Sequence, residues 1–283
     1  MAASFAYRHP RLRVAALLAA PMFWLVVVYI GSLAALFITA FWTVDDFTGQ
    51  VQRTFTLKNF QNLLSNVDYL TVVGRTVGIA VAVTVLCLLL AVPLSLFMAW
   101  AAPRRFRPLM VALVVTPLWA SYLVKVYAWR AMVQPENGVI SWILAPLGLS
   151  GPSVGTTAII LTLTYLWLPY MIIPVYAGLD RMPATVLDAS SDLGARPWRT
   201  IRSVVLPILM PSLIAGSIFT FSLSLGDYIT AQIVGGQVIM LGNVVQMNYV
   251  TNLPFAAAVA TLPVIVILAY LAAVRRTGAL ERL

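Results

Sequence analysis

The sequence predicts an all-α integral membrane protein: one domain of six transmembrane helices, both termini in the cytoplasm, and a short polar elbow between helices 4 and 5. Three observations predict it. The 283 residues are 61% hydrophobic and only 10% charged, whereas a soluble domain of this size is nearer half apolar and a quarter charged, so the excess must face lipid. Apolar runs at about 14–42, 72–100, 109–132, 156–178, 204–225 and 255–274 each reach the ~20 residues that a helix needs to cross a bilayer. Finally, basic residues gather beside alternate ends of these runs, the pattern of cytoplasmic loops.

The first run follows a basic segment with Arg8, Arg11 and Arg13. Its apolar stretch is too long for the 7–15-residue core of a cleaved signal peptide, so it reads as a retained helix. Thr43 to Leu70 is polar and reads as an external loop, with part of it helical around Leu57–Leu64. The second run carries Pro93, a predicted kink. Arg104, Arg105 and Arg107 place the next loop inside. The third run is interrupted by Lys125 and Arg130, and 133–155, with Glu136 as its only charge, suits an external loop. The fourth run contains Pro169 and Pro174. The fifth is rich in Ser and Thr around Gly216, residues that let helices approach closely in lipid. Gly226 to Pro254 has no Lys or Arg and reads as external, while Arg275, Arg276 and Arg282 end the chain inside.

The polar elbow spans 183–203. Pro183 suits a helix start. Asp188 and Asp192 lie one turn apart. Gly194 stops the helix as a residue able to take positive φ. Arg196-Pro197 then begins a second, basic helix that runs into the fifth span.

A single cysteine, Cys87, excludes a disulfide framework, and a single histidine, His9, leaves no His-based metal site. Neither lysine, Lys58 or Lys125, lies in a Gly-rich nucleotide loop. No Gly-x-Ser-x-Gly elbow or other catalytic constellation is present, so an integral membrane enzyme is disfavoured. A channel or secondary transporter more often shows midplane ionisable groups or paired inverted repeats.

Asp188-Ala189-Ser190, three residues, Gly194, nine residues, then Val204-Val205-Leu206-Pro207 resembles the EAA loop of the importer-type ABC transporter permeases, with Asp for Glu, Ser for the second Ala and Val for Ile. The resemblance implies that Asp188, Ala189, Ser190, Asp192, Leu193, Gly194, Leu206 and Pro207 couple the chain to a separate ATPase, which binds ATP and Mg. It also implies a second, related permease, an extracytoplasmic solute-binding protein, and multi-pass placement in a bacterial cytoplasmic (inner) membrane. No cofactor, metal or nucleic acid is expected on this chain.

The stretch from Pro117 through Lys125 to Trp129, Leu168 to Tyr176, and Gly226-Asp227-Tyr228-Ile229-Thr230 followed by Gly235-Gly236 resemble the spermidine/putrescine branch of that family, its first permease subunit more than its second. A polyamine path wants carboxylates and aromatic faces. The expected path residues are Trp119, Tyr122, Lys125, Tyr127, Trp129, Tyr165, Trp167, Tyr170, Asp227 and Tyr228. Aromatics near span ends also serve as interface anchors, and Asp227 also suits a helix cap in external water. Lys125 has three readings: pairing with a partner carboxylate, snorkelling to the surface, or binding an anionic solute such as a phosphonate.

Overall fold

The computed structural model describes residues 17–19, 21–45, 48–148 and 151–275. The basic clusters that would place both termini, Arg8, Arg11, Arg13, Arg276 and Arg282, lie outside the described residues.

The helices in chain order are α1 (Leu17–Thr39), α2 (Lys58–Ser65), α3 (Val67–Ala101), α4 (Arg104–Trp119) and α5 (Tyr122–Met132). They continue with α6 (Val139–Leu144), α7 (Thr156–Asp180), α8 (Ala184–Asp192), α9 (Pro197–Leu225), α10 (Ile229–Val234), α11 (Leu241–Asn248) and α12 (Leu253–Arg275). Five of them, α1, α3, α7, α9 and α12, are long and apolar enough to cross a membrane, and α4 with α5 supplies a sixth span if that bent pair is counted as one. Strands β1 (Thr43–Val44) and β2 (Val51–Gln52) form a small antiparallel hairpin, with Thr43 opposite Gln52.

The expected third span is therefore corrected. It is two helices meeting at 96°, because Ala120 and Ser121 have extended backbone, ψ 144° and 136°. Gly226–Pro254 is corrected too. It is not an open loop but holds α10 and α11, with Thr230, Ala231, Val234, Leu241 and Asn243 buried. The second span starts at Val67, which brings Asp68 into the first turn of the helix. The fifth begins at Pro197, so the second elbow helix and the span are one rod. A wider π-type turn at Ile201–Val205 lies just before Pro207, whose missing N–H interrupts the helical ladder.

The chain divides into two compact units, Met1–Ser65 with Met247–Thr261, and Asn66–Gln246 with Leu262–Leu283. In the first, Asn59 Nδ2 donates to the carbonyls of Ala40 and Trp42 at 2.9 and 2.8 Å, capping the end of α1. Phe41 stacks on Phe55 at 4.8 Å, and Ala40, Ala257 and Ala258 form a small core beside Leu36 and Phe60.

In the second unit α3, α7 and α9 pack together. Ile79, Val83 and Cys87 of α3, Leu163, Met171 and Val175 of α7, and Leu209 and Leu213 of α9 share one buried core. Lipid gives such helices little hydrophobic drive toward one another, so close contact depends on small residues. Gly216 is where it matters most, since a Cβ there would lie 2.6 Å from Met171 Sδ and 3.1 Å from Met171 Cα.

Gly216→Val should therefore overpack the α7–α9 contact by about 1–3 kcal/mol. The expected outcome is a lower thermal unfolding midpoint of the purified protein in detergent. An unchanged midpoint would mean that the contact is slack.

Candidate functional site

Two constellations stand out, both in the larger unit. The first is the elbow. Pro183, at ψ 135°, is the residue before α8 rather than its first turn, a small departure from the expected start. At the other end Ala195 N–H donates to the Ser190 carbonyl (3.1 Å) and Gly194 N–H to the Ser191 carbonyl (2.8 Å). This double closure is the Schellman motif, and it demands a left-handed residue: Gly194 has φ +75°. The Ser190 and Thr200 hydroxyls share a hydrogen bond of 2.9 Å, bracing α8 against the foot of α9.

Asp188, Ala189, Asp192, Leu193 and Gly194 all lie on the exposed face of the elbow. Ser190 does not. It is buried and faces Thr200 in the inner brace. Leu206 and Pro207 stand apart from the exposed face, at the foot of α9 beyond the wide turn. Sequence reasoning passed over Trp198, 70% exposed beside the 88% exposed Leu193. Two large apolar side chains standing out from a polar elbow mark a contact surface.

The second constellation lies where the bent span meets α10. The Tyr122 hydroxyl donates to Asp227 Oδ2 and lies 2.7 Å from the Thr230 hydroxyl. Thr230 N–H donates to Asp227 Oδ1 at 2.8 Å. Asp227 thus caps α10 three residues ahead of Thr230, a helix-start pattern. It is only 7% exposed, and burial raises its pKa above the usual carboxylate range, against the opposing pull of the Tyr122 and Thr230 hydrogen bonds. Trp167 stacks on Tyr122, centroids 6.0 Å apart, and meets Tyr170 edge-on at 5.8 Å. Tyr122, Trp167, Ser222, Gly226, Asp227 and Tyr228 line a cavity of about 290 Å³.

Of the expected path residues, the structure gathers Tyr122, Trp167, Asp227 and Tyr228 at this cavity, with Tyr170 behind. Trp129 pairs separately with Tyr165, at 5.4 Å. Trp119 is 88% exposed at the bend and Tyr127 is exposed on α5, so neither joins the cluster. Lys125 also stands apart. Its Nζ donates to the Pro117 carbonyl at 3.1 Å, satisfying an acceptor in the last turn of α4 that the bend has stripped of its helical donor. Arg130 does the same for α10, donating to the Ile233 carbonyl at 2.8 Å. Thr230, Ser222 and Arg130 were not foreseen. For Arg130 no local signal exists, because its acceptor is a distant backbone group.

Several lipid-length helices, an exposed elbow and a largely apolar cavity bordered by one carboxylate and several aromatic rings suit a multi-pass transport subunit. The chain belongs to the family described as binding-protein-dependent transport system inner membrane component, which matches residues 91–276. It is 42% identical over 296 residues to the inner membrane ABC transporter permease protein YdcU of Escherichia coli (strain K12), across 99% of this chain and 94% of that one. It is 30% identical to the spermidine/putrescine transport system permease protein PotB of the same organism, over 78% of this chain and 81% of that one. Among solved structures, the bacterial alginate ABC transporter in complex with alginate pentasaccharide-bound periplasmic protein superposes with TM-score 0.73 at 12% identity, covering 97% of this chain and 96% of that one. The MetNI methionine ABC transporter gives 0.57 at 21%, covering 74% and 93%. The chain is thus an ABC importer permease subunit of the inner membrane.

If Lys125 holds the bend, Lys125→Arg should keep wild-type expression and uptake. Lys125→Met, which leaves a carbonyl unpaired at membrane depth, should cost several kcal/mol and lower the amount of folded protein. Equal folded yields of the two variants, compared by size-exclusion chromatography, would remove Lys125 from that role.

Proposed function

We propose that this chain is one of two related permeases in an ATP-driven importer that moves a polyamine such as spermidine or putrescine into the cytoplasm. A separate solute-binding protein delivers the solute, and a partner ATPase, which holds ATP and Mg, supplies the work. The observation that carries the polyamine reading is the cavity at Asp227. One carboxylate and the rings of Tyr122, Trp167 and Tyr228 line it, with no Lys or Arg among its lining residues. Carboxylates and π faces are what a multiply charged ammonium solute needs, and the PotB relatives support the same choice. The anionic alternative leans on Lys125, which gives one of its three N–H donors to the Pro117 carbonyl and does not line this cavity.

The elbow is read as the ATPase contact. Leu193 and Trp198 offer an apolar anchor, Asp188 and Asp192 offer charge, and the Schellman closure with the Ser190–Thr200 bond keeps the piece rigid enough to carry a rigid-body push.

Two expectations follow. A Cβ at Gly194 meets nothing within 4 Å of its own chain, so Gly194→Val carries only the left-handed backbone penalty, on the order of 1–2 kcal/mol, plus any clash with the partner. It should insert normally in the membrane yet lose coupling, with ATP hydrolysis by the assembled importer no longer driving uptake. Wild-type transport would count against the elbow assignment. Asp227→Asn should reduce labelled putrescine uptake in whole cells at least tenfold, the loss of a hydrogen-bonded charge worth ~1.5–3 kcal/mol. Undiminished uptake would refute the polyamine reading.

A further inference from the structure

Asp227 combines three features seldom found together. It is buried, it has no cation among its hydrogen-bond partners, and it borders an open cavity whose other lining groups are neutral. A buried carboxylate without a counter-charge is costly, and here two donors soften that cost, the Thr230 amide on Oδ1 and the Tyr122 hydroxyl on Oδ2. The donors differ in kind. The Thr230 amide belongs to α10 itself and moves with Asp227. The Tyr122 hydroxyl comes from α5, across the junction, where it also meets the neutral Thr230 hydroxyl of α10 at 2.7 Å, and a further side-chain tie between these two helices runs from Arg130 to the Ile233 carbonyl.

We propose that the Tyr122–Asp227 bond is a solute-operated latch, in which a primary ammonium group entering the cavity replaces the Tyr122 hydroxyl on the Asp227 carboxylate and so leaves the Asp227 end of α10 held to α5 only by the weaker, neutral Tyr122–Thr230 hydroxyl bond. This deepens the polyamine reading and rests on it for the identity of the solute. An ammonium ion brings a full charge where the phenol brings only a neutral donor, so the exchange favours the charged partner. The ring of Tyr122 stays on Trp167 after the exchange, since their stacking does not involve the hydroxyl. The two aromatic faces then border the incoming charge, as a cation–π site requires. Arg130 sets a limit on the motion: it holds the C-terminal end of α10, so the opening is a swing at the Asp227 end.

The test uses cells expressing the complete importer, with Cys87→Ala to remove the single native thiol and Ala231→Cys as reporter. Ala231 is a buried residue in the half of α10 nearer Asp227, and the readout is its rate of modification by a small hydrophilic thiol reagent. In the parent, putrescine should raise that rate. Tyr122→Phe, which deletes only the hydroxyl and keeps the stacked ring, should raise it about ten- to a hundredfold without any putrescine, the value of a hydrogen bond to a charged group. Asp227→Asn should do the opposite. The amide oxygen still caps α10, and the amide N–H in the place of Oδ2 donates to the Tyr122 hydroxyl, whose own proton turns to Thr230 Oγ1, so modification stays slow and putrescine has no effect. A merely structural role would make both variants looser.

Slow modification of Tyr122→Phe at the parent rate would overturn the latch, as would an Asp227→Asn variant that responds to putrescine like the parent. If Tyr122→Phe opens but the parent ignores putrescine and spermidine, the bond ties the junction without being operated by an ammonium solute and the latch is overturned, while uptake of labelled putrescine by the same cells decides separately whether the polyamine reading stands. Wild-type expression of both variants, read by immunoblot, keeps misfolding from imitating either result.

Discussion

The backbone of a membrane protein has no water to turn to, so every helix end that falls within or near the bilayer must find a donor or acceptor inside the protein. This chain meets that demand repeatedly with long polar side chains aimed at freed carbonyls. Asn59 closes the end of α1, Lys125 the end of α4, Arg130 the end of α10, and Asn243 takes the Tyr228 carbonyl at 2.9 Å. Interrupted helices are tolerable because these ties exist. The bent span and the short helices after α9 in turn create the junction that holds the cavity. Polar residues that look anomalous in apolar runs are thus explained by the backbone before they are explained by any solute.

The same constraint decides what could be read from the sequence. Span number came through hydropathy, and the elbow came through Pro, Gly and charge spacing, with Gly194 at positive φ where the pattern placed it. The bend at Ala120–Ser121 left no such mark. Pro117 stands near it, but Pro93, Pro169, Pro174, Pro211 and Pro263 all sit inside helices that continue, so proline alone does not announce a break. Hydropathy windows average across two extended residues without registering them. Gly226–Pro254 escaped for the converse reason: α10 has only 6 residues and α11 only 8, too short for a periodic pattern, and they hold their shape through tertiary bonds such as Leu241 N–H to Thr76 Oγ1 at 3.0 Å.

The candidate site was legible as a set of residue types and much less so as a place. Asp227 was visible as the one acid close to a span and as a candidate cap of the fifth helix, whereas the structure has it accept from Thr230 N–H at the start of α10. Choosing among the aromatics needed the bend. Trp119 and Tyr122 are three apart, which on a continuous helix would put them on one face, yet Trp119 is 88% exposed while Tyr122 reaches Asp227. Lys125 was misjudged because its partner is a backbone carbonyl across the break.

The elbow and the cavity are the two ends of the same rods. α7 carries Trp167 and ends at Asp180, just before the elbow, and α9 starts in the elbow at Pro197 and ends at Leu225, two residues before Asp227. At 1.5 Å per residue the 29 residues of α9 span roughly 44 Å, about the depth of a bilayer with its headgroups. The elbow end is made stiff by the Schellman closure and the Ser190–Thr200 bond, and the middle is packed tightly at Gly216 against Met171. The departure from regular α geometry lies between them, in the wide turn at Ile201–Val205. On the proposed reading, a push delivered to Leu193 and Trp198 would enter the braced elbow, cross that wide turn, and arrive at a packed rod that ends beside the Tyr122–Asp227 bond. Such coupling would need no long relay of side chains, because one helix reaches from the elbow to the cavity.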